Sequence, residues 1–171
     1  MNVVITSPRR MGKTALVDFV FQQDNIQKDY LIISVDILHT TCFKEFIYTL
    51  GTAIFEKIAN RNDKMRRTFI TTLRSLSASF GYDPIQNTPT FDIKLGDINM
   101  PDYTIKEIFE FIEQADKRCL IVIDEFQQIS KYPEKNIEAI LRSYIQKINN
   151  ANFVFAGSQR TILEEMFLSS R

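Results

Sequence analysis

Three short clusters in this chain carry the residue types that phosphate chemistry needs. Near the start, Gly12-Lys13-Thr14 follows Ser7-Pro8-Arg9-Arg10-Met11. A glycine lets backbone amides converge on an anion, a lysine brings charge, and a threonine hydroxyl suits a hard cation. Late in the chain, Leu120-Ile121-Val122-Ile123 runs into Asp124-Glu125. One carboxylate there can hold a metal ion and the other can polarise a water. Further on, Ser158 follows Ala156-Gly157, which places a polar group where it can sense a terminal phosphate. Gln159 and Arg160 are the neighbouring alternatives for that contact; Arg160 reads first as a surface arginine, with phosphate or a neighbouring subunit as its alternative partners.

The first cluster matches the phosphate-loop pattern GxxxxGK[ST] in the register Ser7 to Thr14, with serine in place of the opening glycine. The second glycine matters more to the chemistry, because without a Cβ the backbone can approach the phosphates. The expected nucleotide-binding set is Pro8, Arg9, Arg10, Met11, Gly12, Lys13, Thr14 and Ala15. Lys13 would reach the β- and γ-phosphates. Thr14 and Asp124 would share Mg²⁺, and the following helix would turn its positive N-terminus to the anion. Glu125 would align the attacking water. Lys13, Glu125 and Ser158 are thus the expected catalytic set. Gly-Lys-Thr alone is a weak signal, since an exposed lysine at a helix start looks the same. A buried strand directly before it and an apolar-faced helix directly after it separate the two readings. Arg9 and Arg10 face a partner or the γ-phosphate, or are solvated loop arginines.

The elements that must position these groups alternate regularly. Residues 2–6 read as a buried strand, and a helix opens at Gly12 with Leu16, Val17, Val20 and Phe21 on one face. Residues 31–36 read as a second strand ending at Asp36, followed by an amphipathic helix through Phe43, Phe46, Ile47, Leu50, Ile54 and Ile58. A further helix is expected from Met65 to about Phe80. Residues 81–101 are rich in Gly, Pro, Asn, Asp and Thr, with a strand-like piece at 90–95. They read as a loop or hairpin insertion, either with a task of its own or as a mobile connection. Ile105, Ile108, Phe109 and Ile112 mark a helix, 119–124 a third strand, Ile137 to Ile148 a helix, 151–156 a fourth strand and 161–168 a last short helix. This alternation predicts an α/β fold with a parallel sheet and helices on both faces, organised as one domain over 1–171. Ligands in such sheets sit at the carboxyl ends of strands. Thr14, Asp36, Asp124, Glu125 and Ser158 all fall at or just after such ends.

Composition narrows the classes. With 171 residues, 44% hydrophobic and 25% charged, the chain is an ordinary globular domain. Its 21 basic residues balance 21 acidic ones, which gives no broad basic field for nucleic acid. Cys42 and Cys119 are distant and form no CxxC, so reduced thiols and a cytoplasmic setting are expected. His39 is the only histidine, which leaves little for a zinc site or a histidine dyad. No apolar run approaches the roughly 18 residues a membrane span needs, and no signal peptide is evident. No NKxD-like guanine-reading element is present, which weakly favours adenine.

Ser-Pro-Arg-Arg-Met-Gly-Lys-Thr at 7–14, Ile-Asp-Glu-Phe-Gln-Gln-Ile at 123–129 and Gly-Ser-Gln-Arg at 157–160 together resemble the AAA+-related, STAND-type ATPase domains abundant in archaea and Bacteroides-like bacteria. The resemblance implies a three-layer P-loop NTPase core that uses ATP and Mg²⁺. Lys13 and Thr14 would form Walker A, Asp124 and Glu125 Walker B, and Ser158 sensor 1. Family members carry a segment before the first strand, and a fifth strand with a helical lid after the last. This chain reads as the core truncated at both ends, with strand order 1-4-3-2. The first strand would then lie at an open edge, inviting self-association or a protein partner. Nucleic acid would enter only through domains missing here.

Two functions follow. One is an ATPase converting ATP and water to ADP and phosphate; the other is a nucleotide-dependent binding switch with negligible turnover. A small-molecule phosphotransferase lacks an evident acceptor site, and a degenerate scaffold that binds no nucleotide is the remaining alternative.

Overall fold

The computed structural model describes residues 2–8, 11–59, 63–76, 79–83, 88–92 and 94–159, with 79–83 and 88–92 described as backbone only. The chain runs β1 (Val3–Thr6), α1 (Lys13–Phe21), α2 (Asp24–Asp29), β2 (Tyr30–Asp36), α3 (Phe43–Ala59), α4 (Asp63–Thr72), β3 (Ser79–Asp83) and β4 (Thr88–Asp92). A 3₁₀ turn (Leu95–Asp97) leads to α5 (Pro101–Gln114) and β5 (Arg118–Asp124). A second 3₁₀ turn (Phe126–Lys131), α6 (Ile137–Lys147) and β6 (Ala151–Gly157) follow.

Four strands form one parallel sheet in the order β1-β6-β5-β2. This is the 1-4-3-2 order that the family resemblance implies. The two central strands, β5 and β6, are covered on both faces. Ile121 and Ile123 of β5 and Phe153 and Phe155 of β6 join a core shared with α3 and α5, whereas the alternate residues Val122 and Val154 meet Val17 of α1 on the opposite face. Strands buried on both sides read as continuous hydrophobic runs, which is why they were legible.

The larger core holds Leu31, Ile33 and Val35 of β2 against Phe46, Ile47, Leu50 and Ile54 of α3. Each such side chain contributes about 1.5–3 kcal/mol relative to exposure. Phe69 of α4 meets Phe111 of α5 edge to face at 4.9 Å between centroids, which locks these helices together. Polar staples fix the loops. Both oxygens of Glu134 accept the Phe43 amide at the start of α3, at 3.2 Å each. The Glu113 carboxylate accepts the amides of Asn149 and Asn150 at 2.9 and 3.1 Å, tying α5 to the entry of β6.

Three expectations need correction. The helix expected from Met65 to about Phe80 ends at Thr72, and residues 79–83 are strand β3. The Glu107 carboxylate accepts both the amide and the hydroxyl of Ser75, at 3.0 and 2.6 Å, so the backbone donor there is spent outside the helix. The strand-like piece expected at 90–95 lies instead at Thr88–Asp92, paired antiparallel with β3, and residues 95–97 turn as 3₁₀. α2 was not expected: its six residues, DNIQKD, bury no side chain and so show no apolar stripe. The helix expected at 161–168 lies outside the described residues. No described helix is long and apolar enough to cross a membrane.

Candidate functional site

The site forms at the carboxyl ends of β1, β5 and β6. Parallel register puts Thr6 beside Gly157, and Asp36 beside Asp124. Ser7 donates its amide to the Gly157 carbonyl at 3.5 Å, so the loop leaves β1 tethered to the end of β6.

Gly12 caps α1 with φ of 78°, in the left-handed region where glycine carries no Cβ penalty. No side chain caps this helix, and no acidic residue sits in its first turn. Among the described residues its first amides therefore have no capping side chain, and they border the cleft.

Lys13 is only 8% exposed. Its ammonium donates to the carbonyls of Ser7 and Pro8 at 3.1 and 3.5 Å, and among the described residues it has no carboxylate partner. A buried ammonium held by carbonyls alone is a cation awaiting an anion.

The Thr14 hydroxyl donates to Asp124 Oδ2 at 2.9 Å. Asp124 Oδ1 accepts the Glu125 amide, also at 2.9 Å, which fixes the carboxylate's orientation. Glu125 sits at φ of 55°, in left-handed backbone, and the chain turns there into the second 3₁₀ segment. Ser158 donates its hydroxyl to Glu125 Oε2 at 3.1 Å.

A cavity of about 550 Å³ is bordered by Met11, Gly12, Lys13, Thr14, Ala15, Leu38, Asp124 and Glu125. Residues from the phosphate loop, from β5 and from the turn after β2 therefore line one space. Pro8 contributes its carbonyl to Lys13. Arg9, Arg10 and Arg160 lie outside the described residues. Gln159 is half-buried. Asp36 does not border this cavity: its Oδ1 accepts the Leu38 amide at 2.8 Å and shapes the turn after β2.

The donor set fits a hard cation. A hydroxyl and a carboxylate are magnesium ligands, and no group of three or more His, Cys, Asp or Glu residues forms a metal cage among the described residues. A divalent ion here would need phosphate oxygens and waters to complete its shell. The two thiols are free; burial pushes the Cys119 thiol up to about 12, which makes it inert.

Gln127 escaped the sequence reading. It is 2% exposed, and its Nε2 donates to Glu125 Oε2 and, at 3.4 Å, to Ser158 Oγ. No local pattern marks it: Phe126, Ile129 and Tyr132 are buried at 3₁₀ spacing, and Gln127 falls off that period.

No protein-family model matches the chain, and no curated protein matches it. Solved structures do. The Walker-type ATPase PABY2304 of Pyrococcus abyssi superposes with a TM-score of 0.57 at 14% identity, over 99% of this chain and 43% of that one. The ORC2 protein of Aeropyrum pernix, in ADPNP-ADP complexes, gives 0.54 at 16% identity over 96% of this chain and 36% of that one. The fold is that of the P-loop NTPases. The ORC1 protein of Aeropyrum pernix, solved in complex with DNA, gives 0.53 at 15% identity, over 99% of this chain and 36% of that one. The chain thus spans less than half the length of each of these P-loop NTPase-fold neighbours.

Proposed function

We propose that this chain is the Mg²⁺-dependent ATP-binding and ATP-hydrolysing core of a regulatory ATPase of the STAND or AAA+-like kind. One observation carries the reading: the Thr14 hydroxyl meets the Asp124 carboxylate at 2.9 Å beside a buried Lys13 that has no carboxylate partner among the described residues. The neighbours' own descriptions, a Walker-type ATPase and an ADPNP-ADP complex, support adenine nucleotide as the ligand class.

Each residue then has a task. The amides that open α1 at Gly12, Lys13, Thr14 and Ala15 receive the phosphates, and Lys13 exchanges its loop carbonyls for phosphate oxygens. Met11 and Pro8 belong to the loop that delivers them. Thr14 and Asp124 hold the cation, which neutralises charge on the terminal phosphate. Glu125 accepts a proton-bearing donor, the attacking water, while Ser158 holds the other oxygen of the same carboxylate. The Lys13 charge and the helix N-terminus stabilise the charge that develops as the phosphoryl group transfers.

The same reading bears on partners. Among the described strands β1 pairs with β6 on one side only, and its Val3 and Val4 are 39% and 41% exposed. That edge is a surface for self-association or for a protein partner.

The test is phosphate release from Mg-ATP by the wild type and by Glu125→Gln. An ATPase loses its turnover in the variant and keeps nucleotide binding. Equal, negligible release by both proteins, with tight binding retained, would instead make the chain a nucleotide-dependent switch.

A further inference from the structure

Gln127 is polar, buried and placed beside the carboxylate that the proposed hydrolysis depends on. The turn that puts it there is fixed by packing. Phe126, 3% exposed, lies against Phe155 of β6 at 4.6 Å between ring centroids. The Gln128 amide donates back to the Glu125 carbonyl at 2.9 Å. The left-handed backbone at Glu125 then folds the Gln127 side chain under the Glu125 carboxylate.

Three side chains close a triangle. Gln127 Nε2 donates to Glu125 Oε2 and to Ser158 Oγ, and Ser158 Oγ donates to the same Oε2. Two neutral donors thus occupy one oxygen of Glu125. The other oxygen, Oε1, accepts no hydrogen bond among the described residues, and Glu125 borders the cleft. The far end of the amide is anomalous. Gln127 Oε1 is buried with no partner, the only such side-chain atom among the described residues. Burying an unsatisfied acceptor costs stability and offsets part of what the two donated bonds contribute, so an apolar side chain of the same length should hold the fold about as well.

We infer that Gln127 is a positioning residue: with Ser158 it clamps Glu125 Oε2, so that only Oε1 is offered to the attacking water, and it links the end of β6 to the water-aligning carboxylate. This rests on the ATPase reading above. Gln127 itself touches neither nucleotide nor metal in this role. A buried amide that leaves its acceptor unpaired while its donor holds a carboxylate is the signature of a group kept for orientation.

The experiment compares wild type, Gln127→Leu, Gln127→Met, Ser158→Ala and the Gln127→Leu/Ser158→Ala double variant. Phosphate release, Mg-ATP affinity and thermal melting are read for each. Gln127→Leu is expected to melt no lower than wild type, to bind Mg-ATP within about twofold, and to turn over about tenfold more slowly, the effect of one lost hydrogen bond in the transition state. Ser158→Ala is expected to slow turnover similarly, and the double variant to be no slower than the slower single, because the two residues act as one unit.

Wild-type turnover in Gln127→Leu, or strictly multiplicative losses in the double variant, would overturn the inference. So would a clear fall in melting temperature, or failure of both Gln127 variants to fold, since either assigns the amide to stability. If wild type binds no nucleotide, the ATPase reading itself fails. If wild type hydrolyses and Glu125→Gln does not, while Gln127→Leu is unimpaired, only the present inference fails.

Discussion

Thr14 and Asp124 stand 110 positions apart and are joined by a 2.9 Å hydrogen bond between Oγ1 and Oδ2. The first belongs to the opening turn of α1 and the second to the last residue of β5. Neither element contacts the other through sequence neighbours, so the contact is a product of strand order. β1 delivers α1 across β6 to the end of β5, and the hydroxyl and the carboxylate meet where a cation needs both.

Replacing Lys13 with alanine should remove a buried cation that borders the cleft. Among the described residues its ammonium is held by the Ser7 and Pro8 carbonyls and by no carboxylate, so no ion pair between them is broken. The melting temperature should therefore hold steady. Mg-ATP binding should weaken by roughly 10- to 100-fold, the scale of a charged hydrogen-bonding group. Titration calorimetry on both proteins checks this.

Glu113 makes an acid-sensitive staple. The amides of Asn149 and Asn150 hold its carboxyl below its ordinary value of 4.5. A depressed folded value means that the contribution is fully present above 4.5 and is lost as pH falls through the folded value. Wild type and Glu113→Gln should therefore differ in melting temperature at neutral pH and converge in strong acid. A gap of constant size from pH 7 to pH 3 would argue against the staple.

Tyr132 and Thr40 form a buried pair, with the hydroxyls 2.5 Å apart and Thr40 donating onward to the Ile37 carbonyl at 2.6 Å. Tyr132 is therefore the donor to Thr40, and burial pushes its hydroxyl up to about 12. Gln128 joins the same turn by donating to the Thr40 carbonyl at 2.9 Å. These bonds anchor the loop that carries Leu38 to the segment that follows Glu125. Tyr132→Phe should cost about 1 kcal/mol in denaturant unfolding, the worth of one buried neutral hydrogen bond.

Much of this arrangement was legible in the residues. The run at β5 is apolar without interruption from Cys119 to Ile123 because both sheet faces are covered there, those at β2 and β6 are broken only by Ser34 and Asn152, and the polar residues at the strand ends mark where the sheet meets the cleft. Gly12-Lys13-Thr14 and Asp124-Glu125 announce themselves by type and by their place at those ends. Asp36 shares the strand-end position, but only Asp124 has the Thr14 hydroxyl on its second oxygen. A strand end can place a carboxylate near the cleft, and its partners across the sheet distinguish one such end from another.

Other features depend on contacts that no local pattern encodes. The end of α4 is set by Glu107 capturing Ser75, residues 32 positions apart. α2 has no buried stripe to announce it. Gln127 looks like a surface residue in the string Phe-Gln-Gln-Ile, and only the left-handed backbone at Glu125 turns it inward. Ser158 was placed by its strand end, but its bond to Glu125 Oε2 needs the register between β5 and β6.

The central claim is that Thr14 and Asp124 share one divalent cation brought in with the nucleotide. Titration calorimetry with ATP, in Mg²⁺ and in excess chelator, on wild type and on Asp124→Asn tests it most directly. The account predicts that Mg²⁺ strengthens ATP binding to wild type and that this gain disappears in Asp124→Asn, while chelated ATP binds both alike. An undiminished Mg²⁺ gain in Asp124→Asn, or no heat from Mg-ATP with wild type, would contradict it.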